Sequence, residues 1–198
     1  TGDYNTLLGF QAGDALTTGN SNVAIGFNAL SAEDANGLNI AIGANALGNL
    51  NAGANAENVA IGHDAGASAT TGGENTIVGA TAGDALTIGE KNVAIGHNAL
   101  GADDVGSRNV AVGWDALGSQ NATGGSVNNF YNTAVGANTG FSITTGYYNT
   151  FVGALAGDDT DDSIQNVAVG YAALSANAGN NNTAVGESAL TSTTGASN

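Results

Sequence analysis

The sequence predicts an all-β fold: a parallel β-solenoid or β-roll of eleven coils, each about 17 residues long. Three observations lead there. A five-residue motif of Asn, a β-branched residue, an apolar residue, an aliphatic residue and Gly recurs along the whole chain, so the architecture is repetitive. Gly closes each apolar run after three residues and no 3.6-residue periodicity appears, which excludes helical repeats. The 198 residues include 32 Gly, 37 Ala, 27 Asn and 20 Thr but no Pro, Cys or Met, too few large apolar side chains for an ordinary globular core.

The motif begins at Asn5, Asn22, Asn39, Asn58, Asn75, Asn92, Asn109, Asn132, Asn149, Asn166 and Asn182. Successive copies are 17 residues apart, except for 19 after Asn39, 23 after Asn109 and 16 after Asn166. The Asn suits a corner, where it tolerates left-handed backbone or bonds to neighbouring main chain, and stacked copies can form an amide ladder. The closing Gly suits a turn that needs positive φ or no side chain.

Between them lies a short strand. The residues one and three after the Asn are Thr, Val or Ile and Leu, Ile or Val, and side-chain alternation puts them on one side. These bulky pairs are expected to fill the inside of the coil. The residue between them points the other way and is never polar: Leu7, Ala24, Ala41, Ala60, Ile77, Ala94, Ala111, Ala134, Phe151, Ala168 and Ala184. A strand apolar on both faces is buried on both. These eleven residues are therefore the expected oligomer interface, where Ala lets another backbone approach closely. A thin coil core offsets poorly the roughly 1–2 kcal/mol per residue of backbone ordering, so an obligate oligomer along the rod axis is expected.

A coil of this length has room for two short strands and two turns, with connectors rich in Gly, Asn, Ser and Asp. Three residues past the Gly, Ala recurs in every copy but one, where Thr139 stands. The next residue runs Gly, Leu, Leu, Gly and repeats. Leu7, Ile77 and Phe151 fall in the first, fifth and ninth copies, and the stretched connectors 48–57 and 118–131 both follow the third member of a quartet. Residues 1–198 thus form one array with four-coil super-repeats at about 5–74, 75–148 and, in part, 149–198. With no initiator Met and no capping repeat, the chain is expected to be a fragment of a longer fibre.

Composition also excludes functions. Two cations against 17 acids, a net charge of −15, cannot neutralise a row of phosphates, so nucleic-acid binding is not expected. No apolar run approaches the length of a membrane span, so no insertion of this segment is expected. Without Cys there is no thiolate metal site or Cys nucleophile.

Candidate sites are few. Phe27, His63, His97, Trp114 and Tyr171 all follow the fixed Gly, alternating with Ala, and form a candidate receptor-contact ladder or simply packing at the turn. The two His, two coils apart, are too distant to share a metal ion. Acids cluster at Glu33-Asp34, at Asp103-Asp104 and at Asp158, Asp159, Asp161 and Asp162. They read as solvated loops, and calcium, if any cofactor is held, is expected at the last cluster. No acidic position recurs with a pocket-forming insertion, so no catalytic residue and no enzymatic activity are expected.

The strings Asn22-Val23-Ala24-Ile25-Gly26, Asn92-Val93-Ala94-Ile95-Gly96 and Asn166-Val167-Ala168-Val169-Gly170 resemble YadA-type head repeats of trimeric autotransporter adhesins. Thr17-Thr18-Gly19, Thr70-Thr71-Gly72 and Asn132-Thr133-Ala134-Val135-Gly136 resemble repeat arrays of phage tail fibres. The resemblance implies left-handed parallel β-rolls associated as homotrimers, outside the cell or on a virion. The expected function is a structural fibre shaft that holds a distal tip or presents an adhesive surface. The alternative is an adhesin module that binds host polysaccharide or protein through the turn-position aromatics.

Overall fold

The computed structural model describes every residue except Thr1, Asp34, Asn36, 122–127 and Thr193. Among the described residues there is no helix, and the chain is a parallel β-solenoid. Thirteen strands are numbered in chain order: β1 (Thr6–Leu8), β2 (Val23–Ile25), β3 (Ile40–Ile42), β4 (Val59–Ile61), β5 (Thr76–Val78), β6 (Val93–Ile95), β7 (Gly106–Ser107), β8 (Val110–Val112), β9 (Asn128–Asn129), β10 (Thr133–Val135), β11 (Thr150–Val152), β12 (Val167–Val169) and β13 (Thr183–Val185). Eleven stack in order into one parallel sheet, and β7 pairs with β9 alone.

Motif residues pair in register at every step, including Ala41 with Ala60 and Ala111 with Ala134. The two stretched connectors therefore leave the strand stack undisturbed. Elsewhere each coil holds one strand rather than the expected two. The return path is a succession of turns, tied to the next coil by main-chain bonds such as Gly13 N to Ala29 O (2.9 Å) and Asn28 N to Phe10 O (3.0 Å).

The strand faces are reversed from expectation. Ala24, Ala41, Ala60, Ala94, Ala111, Ala134 and Ala168 are fully buried, Phe151 likewise, and Ile77 and Ala184 are 1% exposed. Only Leu7, at the end of the stack, is exposed. Leu7 apart, these expected interface residues line the chain's own core and are not open to a partner. The bulky pairs one and three after the Asn point outward and are half-buried or exposed in every strand. A 17-residue coil is narrow, and its turns push their own side chains inward. Ala29, Ala46, Ala65, Ala82, Ala99, Ala116, Ala156 and Ala173, with Leu30, Leu47, Leu100, Leu117 and Leu174, are fully buried against the strands, and Ala12 and Ala189 in the end coils are partly buried. Little room is left there except for Ala.

Where the strand residue is large, the corner residue is Gly. A Cβ added at Gly66 would lie 3.0 Å from Ile77 Cδ1, and one at Gly140 3.1 Å from Phe151 Cδ2. At Gly157 it would lie 2.5 Å from the Phe151 ring. The four-coil period is thus a packing period: a corner Leu fills the core in two coils, and a strand Ile or Phe spans the Gly corners of the next two. Leu and Gly share one left-handed conformation there, with φ 50° at Leu30 and 64° at Gly157. For Leu this costs on the order of 1 kcal/mol, offset by complete burial of the side chain.

The amide ladder forms. Each Asn main-chain N–H donates to the Oδ1 of the Asn one coil before, from Asn22 on Asn5 (2.8 Å) to Asn182 on Asn166 (2.8 Å). Side-chain Nδ2 groups donate to the carbonyl that closes the same coil, as Asn75 to Gly89 and Asn92 to Gly106, both 2.9 Å. The left-handed corner falls on the residue before the Asn, such as Tyr4, Leu38 and Lys91. Asn198 continues the ladder, its N–H donating to Asn182 Oδ1 at 2.9 Å.

Candidate functional site

The first surface is the outward face of the sheet. Two in-register columns of Val, Ile, Thr and Leu run its length, with no charged residue among them. At about 4.8 Å per strand and 3.3 Å per residue the face is roughly 50 Å by 10 Å, at the upper end of what monomers expose. Among the described residues, every exposed large apolar residue except Leu7, Phe141 and Tyr147 belongs to these columns or to the flanking columns just before the Asn and just after the Gly.

The column after the Gly holds the sequence-predicted contact residues. Phe27, Trp114 and Tyr171 are each at least half exposed (51, 53 and 56%), and Phe10 and Phe27 stack with centroids 5.8 Å apart. His63 Nδ1 lies 3.0 Å from Asp64 Oδ2. His97 is exposed in the same column. The structure sets all five in one line, with Ala44, Ala80, Ala137 and Ala154 between them.

The column before the Asn contains a cluster that the recurring motif does not mark. Tyr131 and Tyr148 lie 5.6 Å apart, Tyr147 meets Tyr148 edge-on at 5.1 Å, and the Arg108 guanidinium sits 5.6 Å over the Tyr131 ring. Arg108 also donates to Asn129 Oδ1. The signal was present, since these residues precede the ladder Asn at three successive coils, but no single type recurs there. Lys91 bonds Glu74 at 3.1 Å, and that bond raises its pKa further. Both cations of the chain are therefore engaged with its own side chains.

The acids divide. Glu33 and Asp103 are fully buried, which corrects the reading of their segments as solvated loops; Asp34 lies outside the described residues. Asp103 accepts from Gly106 N–H (2.9 Å) and from Gln120 Nε2 (2.6 Å), and Gln120 Oε1 accepts from the ladder Asn132 (2.8 Å). Asp161 and Asp162 accept from Thr144, and Asp162 also from Thr145. Those bonds hold the Asp162 carboxyl below its usual range. Burial, then the charge of Asp159, pushes the Asp158 carboxyl up. Among the described residues no group of three or more metal-ligating side chains is assembled, and no helix is long and apolar enough to cross a membrane.

A polar groove of about 230 Å³ runs across the coils of β2 to β4, lined by Asn28, Asn45 and Asp64 and by Ser31, Gly48, Asn49 and Ala67. Asn28 Nδ2 donates to Asn45 Oδ1 (3.4 Å) and Asn45 Nδ2 to Asp64 Oδ1 (2.8 Å), a second and partly exposed ladder. No family model, curated protein or solved structure matches the chain.

Proposed function

We propose that this chain is a shaft segment of an extracellular fibre, of a phage tail or a bacterial surface appendage, in which copies associate through the outward Val/Ile face. The observation that carries this reading is the apolar, uncharged, in-register sheet face along the full stack of strands. Flanking apolar residues such as Tyr131, Tyr148, Phe27 and Trp114 widen it toward the roughly 800 Å² per partner of a standard interface. Three copies turned to a common axis would share one core, the stoichiometry that the resemblance implies. The role is mechanical: strand ladders along the axis resist bending and hold a distal tip away from the particle or cell.

A double substitution tests it. Ile61 and Ile95 each expose 38% of their surface, so lysines there should leave the coil folded. Ile61→Lys with Ile95→Lys is expected to convert a trimer, measured by light scattering, into a monomer with unchanged circular dichroism. A well-folded wild-type monomer at micromolar concentration would overturn the proposal. Adhesion is the second reading, favoured by the exposed rings of Trp114 and Tyr171. Unlike self-association, it requires those rings to stay uncovered in the assembled rod.

A further inference from the structure

We infer that the polar groove over the coils of β2 to β4 is a binding site for a neutral saccharide. This deepens the adhesive reading by giving it a pocket and a ligand class, and it does not rest on the shaft reading.

The groove is pre-organised. Asn28, Asn45 and Asp64 occupy the same position in successive coils, one strand spacing apart. All three backbones are held left-handed, with φ 54°, 57° and 56°. Ladder bonds fix the Asn45 amide, and the Asp64 carboxylate is held between Asn45 and His63. An amide offers two N–H donors and a carbonyl, and a carboxylate accepts at both oxygens, so the ladder bonds leave capacity for a ligand. On the opposite wall, Ser31 Oγ donates to Gly48 O (3.1 Å) and Asn49 Nδ2 to Ala67 O (2.7 Å). Alternating donors and acceptors at fixed spacing suit a ligand with several adjacent hydroxyls. The volume, below that of drug-sized pockets, suits one small ring.

Charge selects among sugars. The groove contains Asp64 and no cation, and Lys91 and Arg108 are engaged elsewhere on a chain of net charge −15. Uronic and other acidic sugars would meet repulsion without a compensating partner. Neutral sugars would not.

The internal duplication supplies a comparison. In the second super-repeat the three rungs are Asn98, Asp115 and Asn138, and Asn98 Nδ2 donates to Asp115 Oδ1 at 2.7 Å. Its opposite wall, however, is Gly101, Gly118 and Phe141 where the first groove has Ser31, Gly48 and Ala67. The Phe141 ring lies over Gly118, 3.2 Å from where a Cβ would stand, and the Asn98 side chain lies over Gly101. Phe141 thus covers the position that Ala67 leaves open in the first super-repeat.

That difference designs the test. Ala67→Phe gives the first groove the residue that the array already carries at the equivalent place, so folding and assembly are expected to be unchanged. The full chain is titrated, by calorimetry and by NMR of the Asn side-chain amides, with short oligomers of glucose, galactose, mannose and N-acetylglucosamine, and with oligogalacturonate. At least one neutral oligomer is expected to bind saturably and shift the Asn28 and Asn45 amide signals. Ala67→Phe should weaken it by roughly ten- to a hundredfold, and oligogalacturonate should not bind. Failure of every neutral oligomer at millimolar concentration, unchanged affinity in Ala67→Phe, or preferential binding of the acidic oligomer would each overturn the inference. Light scattering of the same samples reports on assembly separately, so loss of one reading leaves the other standing.

Discussion

Asn92 shows what one residue does for the stack. Its N–H reaches back to Asn75, its Oδ1 receives Asn109 N–H, and its Nδ2 closes its own coil on Gly106, each at 2.9 Å. The side chain is 1% exposed, so removing it would strand a buried donor and a buried acceptor, each at roughly 1–3 kcal/mol. Only a short amide spans two coils and a corner at once. Asp158 shows the opposite case, a carboxylate held at a cost. Its Oδ1 is buried with no hydrogen-bond partner among the described residues, and burial, followed by Asp159, raises its pKa from the ordinary 3.8. The folded chain then keeps this proton at pH values where the unfolded chain has lost it. That contribution to stability is present below 3.8 and disappears as pH rises through the raised folded value. Asp158→Asn is therefore expected to melt higher than wild type at neutral pH, with the gap closing as pH falls through that window. No gain at neutral pH would contradict it. Asp84, raised first by burial and then by the charge of Asp64, behaves in the same direction.

At the scale of the element, each coil solves one volume problem in one of two ways. Most coils with Ala on the strand bring in Leu from the corner, as Ala168 with Leu174 in the coil of β12. Those of β4 and β10, with Gly66 and Gly140 at the corner, receive Ile77 and Phe151 from the next coil. The coil of β11 instead has Phe151 over Gly157. Phe151→Ala is expected to cost about 3–5 kcal/mol in denaturant unfolding, since the cavity opens in a core with little room to collapse. Gly157→Leu alone should also destabilise, because its side chain would meet the Phe151 ring. Together they recreate the arrangement of the next coil and should recover much of the loss. A double variant no more stable than Phe151→Ala would show that the two sites do not share one space. The fixed Gly is stricter. At Gly96, φ is 132° and an added Cβ would press on the Gly113 carbonyl, so both backbone conformation and stacking exclude a side chain.

For the whole molecule, the apolar face and the acidic surface pull in opposite directions. Bringing copies with a net charge of −15 together concentrates like charge, and the screening length shortens from about 30 Å at 0.01 M salt to about 10 Å at 0.1 M. Association through an uncharged face should therefore strengthen as salt rises, read as an increase in average mass by sedimentation. A mass that falls with salt would point to ion pairing instead and would contradict the Val/Ile interface.

The repeat, the parallel stacking, the closing Gly and the amide ladder were all legible in the sequence, because each recurs at a fixed offset from an Asn. The groove was not, since Asn28, Asn45 and Asp64 vary in type and become neighbours only when coils stack. Nor was the burial of Glu33 and Asp103, whose position in the coil is held elsewhere by Leu50 and Leu86. Alternation shows that Ala24 lies opposite Val23 and Ile25, but it is symmetric between the inside and the outside of a coil. That choice belongs to the tertiary structure. The space within a coil already filled by Ala29 and Leu30 admits only a methyl group, so the small face turned inward and the Val/Ile face was left for something else to cover.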